Sequence, residues 1–474
     1  MSLLKSFPRT FWVANAIELF ERWAWYGFFM LFANYLTGSS DAGGLEFSQS
    51  QKGILMGVGT GILYFLPVLT GAIADRYGYR KVLCIAFLVY ASAFILLPQA
   101  TTFVGVFLLY IYLALGAALF KPIISATVAK TTNDSNASIG FGLFYMMVNI
   151  GAFFGPLVTL LFKGSSSHLI FYVSAAIISL NFILLLFYQE PHREERKQSE
   201  PLSATFRTIF GNMASIFKDL KFLAFLLIIA GFWTMYHQLF FTLPVFISQW
   251  VDTSSVYDFF AKYAPFFSEN YSPAPGVMDA EFITNCDALF IICFQVFISY
   301  LVLRMQPLKS MMSGFLVCSI GMALTLFSQN VLFTIGAIFA FSMGEMAGSP
   351  KITEYIGRIA PADKKALYMG YSFIPVFIGN VLAGIISGVV YQNMSDKVVL
   401  TQRLVADKGL QIADGLSTNA YFEEVASQLQ LTQQELTNLL WNTYSPSNLW
   451  MVLLAIGVAS VVMLYIYDRV NSKA

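Results

Sequence analysis

The sequence predicts an all-α integral membrane protein in which about twelve transmembrane helices form two six-helix bundles. Three observations lead there. First, 57% of the 474 residues are hydrophobic and only 12% are charged, about half the charge of a typical soluble chain. Second, apolar runs long enough to cross a hydrocarbon core of about 30 Å recur along the whole chain. Third, these runs fall six and six on either side of one long, strongly charged interior connector. The 33 Gly and 16 Pro suit broken, closely packed spans. A net charge of +1 gives no reason to expect a nucleic acid partner.

The runs read as 11–36, 52–74, 81–98, 103–129, 139–162 and 169–188, then 221–250, 281–303, 308–328, 331–349, 366–392 and 448–467. The expected organisation is an N-terminal bundle over 1–188, a linker over 189–220 and a C-terminal bundle over 221–474. The linker is too polar and charged for a further span. Placing it on one side with both termini gathers most of the 28 Lys and Arg there, which the positive-inside rule assigns to the cytoplasm. The plasma membrane is the expected location, or the cell inner membrane in a bacterium. Insertions near 251–280 and 393–447 then lie outside, and neither holds a run long enough to span. The first run is too long and too charged for a cleavable signal. Cys84, Cys286, Cys293 and Cys318 fall within or at the ends of spans, so neither a disulfide framework nor a metal site is expected. No cofactor is expected.

The first span carries ELFERWAWYG, which sets Glu18, Glu21 and Arg22 where charge is expensive. At 100° per residue Glu18, Glu21, Arg22 and Trp25 share a face, and Glu18 to Arg22 is the i,i+4 spacing at which opposite charges meet. Glu21 and Arg22 are adjacent and are not expected to face each other. One carboxylate then partners the guanidinium while the other is left to carry a proton. The plainer alternative is a buried ion pair that only fixes helix packing. Between spans two and three, GAIADRYGYRK sets Gly71, Asp75, Arg76 and Gly78 at a cytoplasmic mouth, where small residues permit close approach and charges form a latch. This loop resembles the signature loop of the major facilitator superfamily.

Span four reads LGAALFKPIISA. Pro122 removes a backbone donor and frees a carbonyl beside Lys121, an arrangement tolerated at membrane depth next to a cavity; a snorkelling lysine is the alternative. Span five, FYMMVNIGAFFGP, offers Asn149 as donor and acceptor. Span seven, FWTMYHQ, brings Trp233 and His237, the side chain most ready to change charge near neutral pH, or else a structural hydrogen bonder. Span ten carries Glu345 near the end of its apolar run, and span eight carries Asp287.

Together these residues resemble the proton-coupled oligopeptide transporter family, in a divergent form. ELFERWAWYG is similar to its E-x-x-E-R-F-x-Y-Y-G motif, with Trp23 and Trp25 as departures. LFKP, FYMMVNIGAFFGP, FWTMYHQ, GEMAGSPKITEYIGRIAP and MGYSFIPVFIGNVLAG follow family patterns. The resemblance implies that Glu18 and Glu21 join proton coupling; Arg22 and Lys121 beside them, and His237 for its readiness to change charge, are further candidates for it. The resemblance further implies that Arg22 and Lys121 hold a peptide carboxylate, that Glu345 holds the amine, and that Tyr26, Tyr64, Asn149 and Trp233 line the same cavity. His237 stands where the family commonly has Glu, and Phe29 where many members have the Arg that pairs with it. Ser372 falls near a family Trp.

The chemistry agrees independently. Cations of one half face an acid of the other, so a zwitterion whose ends lie several ångströms apart bridges them. The expected function is proton-coupled import of di- and tripeptides or peptide-like zwitterions by alternating access, by a monomer in the lipid bilayer. The alternatives are a carrier of another small organic solute, such as an amino acid derivative, modified peptide or organic anion, and a non-transporting receptor or scaffold. No enzyme is expected, since no nucleophile, base and orienting group occur together.

Overall fold

Pro8, held in the extended conformation an N-cap requires, opens α1 (Arg9–Thr37). At 1.5 Å per residue this helix is about 43 Å long, ample for the bilayer. In this computed structural model, which describes residues 6–133, 136–163, 166–191, 202–215, 219–360 and 365–471, α1 lies at the centre of the first half. It packs on α6 (Ala137–Lys163) and α7 (Leu169–Phe187), while α4 (Tyr79–Leu96) packs on α5 (Phe103–Lys130) and α7. Among the described residues, extended pairing is limited to the bridges Asp252 with Asn330 and Ala274 with Val277.

The second half repeats the pattern. Here α16 (Pro307–Thr325) packs on α17 (Val331–Ile359) and α24 (Leu449–Asn471), and α15 (Cys286–Val302) packs on α17. Helix α9 (Leu220–Tyr236) packs on α19 (Phe373–Ile385) and α24. Between halves, α2 (Gln49–Phe65) lies against α19 and α6 against α15. The α2–α19 crossing is glycine on glycine: a Cβ on Gly53 would stand 2.2 Å from the Gly384 carbonyl oxygen, so only glycine permits it. The perimeter is apolar and exposed, as at Val296 (83%) and Leu186 (68%), which is a lipid-facing surface.

Ten helices among the described residues are long and apolar enough to cross a membrane, and α2 with α3 (Pro67–Tyr77), bent by 44°, makes an eleventh. Helix α1 is long enough to be the twelfth, but Glu18, Glu21 and Arg22 keep it from being apolar enough to count with them. The predicted spans hold, but several are broken. Pro67 breaks the second. The seventh is interrupted at His237 and Thr242, giving α9, α10 (Gln238–Phe241) and α11 (Leu243–Trp250). The eleventh breaks at Ser372, between α18 (Lys365–Tyr371) and α19, and widens into a π turn over Ile386–Val390. Conversely α17 runs on to Ile359, so Glu345 sits in mid-helix rather than near an end.

Within the linker, α8 (Leu202–Ser215) packs on α3. One insertion forms α12 (Ser254–Tyr263) and α13 (Pro265–Asn270), and the other forms α21 (Lys397–Lys408), α22 (Thr418–Gln428) and α23 (Gln433–Tyr444). The N-terminus of α22 reaches the first half, where Ser417 and Asn419 donate to Asp41 at 2.8 Å and Thr418 donates to Glu46.

A charged cradle between the two halves as the candidate site

Helix α1 brings its charges to the cradle because α6 lets it come close. A Cβ on Gly151 would lie 2.7 Å from the Arg22 Cβ, and one on Gly155 would lie 2.5 Å from the Trp23 carbonyl oxygen. The two glycines therefore set the depth of the motif.

At that depth Arg22 Nε donates to Glu21 Oε2 at 2.5 Å and Nη2 donates to Glu21 Oε1 at 2.8 Å. The expectation that adjacent Glu21 and Arg22 do not face each other is overturned. Their Cβ atoms diverge by about 100°, yet both arms are long enough to curl toward each other, and the planar guanidinium rewards a two-point contact. Glu18 joins at 3.3 Å, as its i,i+4 spacing predicted. The Tyr90 hydroxyl donates to Glu21 Oε1 at 2.5 Å. One guanidinium is thus shared by two buried carboxylates, of which Glu21 is wholly buried.

Lys121 is half-buried and places its Nζ 3.9 Å from the centre of the Tyr64 ring, so it does not snorkel to an interface. The carbonyl that Pro122 frees, that of Ala118, accepts from the Thr70 hydroxyl of α3 at 2.5 Å. The loosened turn is satisfied, and Lys121 is within electrostatic reach of Glu18, Glu21 and Arg22.

From Tyr64 the path crosses to the second half. Tyr64 meets the His237 ring edge-on at 6.5 Å, and His237 lies against Trp233 and Tyr236. His237 is buried, with Nδ1 2.7 Å from the Trp233 carbonyl oxygen. The Tyr236 hydroxyl donates to Glu345 Oε1 at 2.8 Å, while Glu345 Oε2 is buried with no hydrogen-bond partner among the described residues. Tyr26, beneath Arg22 at 5.8 Å, is within electrostatic reach of Glu345. Arg22, Lys121 and Glu345 are therefore linked through a continuous set of aromatic rings. Asn149 gives its amide to the Tyr145 carbonyl of its own helix at 2.8 Å. Asp75 and Arg76 lie apart, at the far end of α3: Asp75 accepts from Tyr79 at 2.8 Å and Arg76 lies over the Tyr77 ring. Tyr90 and Tyr145 were not singled out from the sequence. Their only signal is a hydroxyl inside an apolar run.

The profile of the Major Facilitator Superfamily matches residues 16–261 and 257–400, more than half the chain. The chain belongs to the Major Facilitator Superfamily. Within it, the chain is similar to the uncharacterized MFS-type transporter YqjV of Bacillus subtilis, 24% identical over 75% of this chain and 80% of that one. It is also similar to the peptide transporter YePEPT of Yersinia enterocolitica, 26% identical over 30% of this chain and 29% of that one. Among solved structures, a POT family transporter in complex with 5-aminolevulinic acid matches with a TM-score of 0.71 at 16% identity, over 99% of each chain.

In this facilitator, among the described residues, the hydrogen bonds between halves cluster at the end that carries the insertions. Lys163 reaches Asp279 at 2.7 Å and Glu281 at 3.1 Å, and Asn34 donates to Glu281 at 2.9 Å. The wholly buried Lys52 donates to the Phe241 carbonyl at 2.8 Å. Phe29 packs on Phe240 and Phe241. A salt bridge between positions 29 and 237 is absent, and an aromatic clasp occupies its place while Lys163 supplies charge pairing elsewhere.

Proposed function

We propose that this chain is a proton-coupled symporter that imports di- and tripeptides or peptide-like zwitterions by alternating access. One observation carries the reading: Lys121 and a pre-paired Arg22 in the first half stand opposite Glu345 in the second, whose Oε2 has no partner. A peptide carboxylate suits the cations and its amine suits Glu345, with Tyr26, Tyr64, Asn149 and Trp233 as the walls. Each charge-assisted hydrogen bond contributes about 1.5–3 kcal/mol, so a proton on Glu21 or Glu18 weakens the fork and frees Arg22 for the substrate. Reopening to the cytoplasm returns Arg22 to Glu21 and expels proton and peptide together. His237 is assigned to the same relay and Asp75 with Arg76 to the inner gate. The bodies that rock are 1–188 and 221–474, joined by 189–220, in a plasma-membrane monomer with both termini in the cytoplasm. The clustered bonds at the insertion-bearing end then make this the outward-closed state.

Proteoliposomes test this directly. An inward proton gradient is expected to drive accumulation of labelled dialanine, and its absence for every di- and tripeptide would refute the proposal. A second reading, a carrier of amino acid derivatives, is favoured by His237 being bonded to its own helix rather than paired across the gate. Displacement of dialanine by 5-aminolevulinic acid, or binding of the latter alone, separates the two.

A further inference from the structure

We infer that the site selects substrates with a second cationic group beside the amine, such as dipeptides with an N-terminal lysine or arginine, and that Asp287 is the residue that selects them. This rests on the reading that the cradle takes peptide-like zwitterions.

Charge distribution is the first ground. In the first half Glu18 and Glu21 are matched by Arg22 and Lys121. In the second half Glu345 stands within electrostatic reach of Asp287, and among the described residues no cation of that half pairs with either. Lys351, further along α17, is bound to Glu354 at 2.8 Å. Lys163 is held by Asp279 and Glu281 at the far mouth. His237 turns Nδ1 to a carbonyl.

Geometry is the second. Asp287, 6% exposed, has Oδ1 2.6 Å from the Ser342 hydroxyl, and Ser342 lies one turn before Glu345 on α17. Ser342 thus holds the second carboxylate beside the first, and Glu345 Oε2 is buried without a partner. Around them stand Tyr236, Trp233 and Phe341, with ring centroids 5.0 and 5.6 Å from that of Tyr236. Tyr145 is within reach of both acids. Aromatic faces beside carboxylates accommodate ammonium and guanidinium groups.

A neutral zwitterion leaves a formal excess of two carboxylates over cations, which two acids so close and so buried can otherwise offset only by binding protons. A substrate of net charge +1 halves it, and one accompanying proton removes the rest. The peptide amine takes Glu345, and the side-chain cation of the same residue takes Asp287.

The test is competition against labelled Ala-Ala in counterflow with proteoliposomes, using Lys-Ala, Ala-Ala and Glu-Ala. Lys-Ala is expected to compete at about tenfold lower concentration than Ala-Ala, and Glu-Ala at about tenfold higher. Asp287→Asn should bring the Lys-Ala and Ala-Ala values within about twofold of each other, while Asp287→Glu keeps them apart. Equal competition by Lys-Ala and Ala-Ala in the unmodified protein would overturn the inference without any variant having to fold. So would an Asp287→Asn protein that keeps the preference but shifts its pH profile, which would make Asp287 a proton site. Failure of every peptide to bind would instead remove the functional reading itself.

Discussion

The two faces of the cradle differ in kind. On the first half the candidate cation is already satisfied: Arg22 is held by Glu21 through two bonds and approached by Glu18, and Tyr90 locks Glu21 in turn. On the second half the candidate acid is not: among the described residues Glu345 has one bond from Tyr236 and an unpartnered oxygen. A satisfied group responds to something that breaks its pairing, and an unsatisfied one responds to whatever arrives. The first face therefore has the construction of a switch and the second that of a receptor, and variants on the two faces should fail in different ways.

Glu21→Gln should break the comparison most severely. It removes the carboxylate that forks Arg22, and gradient-driven accumulation of dialanine is expected to fall by about a hundredfold or more. Exchange of labelled for unlabelled peptide, which needs no net proton flux, should survive at a reduced rate. Equal loss of both activities would make Glu21 a structural support rather than a switch. Glu345→Gln should do the opposite, raising the dialanine concentration needed for half-maximal counterflow by about ten- to thirtyfold. Its proton dependence should be retained wherever transport is measurable.

Much of this architecture was legible in the sequence because membranes impose simple constraints. Apolar runs gave the spans, and charge inside such runs singled out Glu18, Glu21, Arg22, Lys121 and Glu345. What stayed hidden depended on side-chain reach or on partners distant in sequence. Helical-wheel reasoning treats side chains as points at Cβ, so it missed the Glu21–Arg22 fork. Tyr90 is unremarkable as a letter in an apolar stretch and gains meaning only from the Glu21 carboxylate the fold sets against it. The Lys163, Asp279 and Glu281 cluster joins a helix end to an insertion 116 residues away, which no local pattern reports. The freed carbonyl at Ala118 was foreseeable from Pro122, whereas its partner Thr70 was not.

That cluster supplies a smaller test of the same contrast. Burial pushes the Asp279 carboxyl up from its ordinary range against the pull of Lys163 and with the push of Glu281, so two acids depend on one lysine. Lys163→Met removes the cation and leaves them facing each other. The population closed at the insertion-bearing end should fall by about tenfold, which corresponds to roughly 1.4 kcal/mol. Labelling of a cysteine placed in that mouth would report it, and dialanine affinity corrected for the shift should stay constant. A change in affinity alone would place Lys163 in the cradle instead of the gate.

The least effect is expected where the insertion meets the first half. Burial pushes the Glu46 carboxyl up, but the backbone amides of Ser40 and Thr418 and the Thr418 hydroxyl outweigh it and hold it at about 2. All three bonds reach Oε1, at 2.7–2.9 Å. Because the folded value lies below the ordinary one of 4.5, the contact is at full strength above about pH 4.5 and is lost as pH falls toward 2. Glu46 is largely exposed to water, so solvent screening keeps the contribution small. Hydrogen exchange at the start of α22 should accordingly be unchanged between pH 7 and pH 5, after correction for intrinsic rates, and faster at pH 3. Glu46→Gln should weaken the pH 3 response, because an amide has no proton to gain there, and Glu46→Gln with Asp41→Asn should abolish it, because Asp41 accepts from Ser417 and Asn419 at the same helix start. Should α22 instead loosen between pH 7 and pH 5, the insertion would respond to the same range of pH as a transporter's driving gradient, and the division between a switch on α1 and passive clamps elsewhere would have to be redrawn.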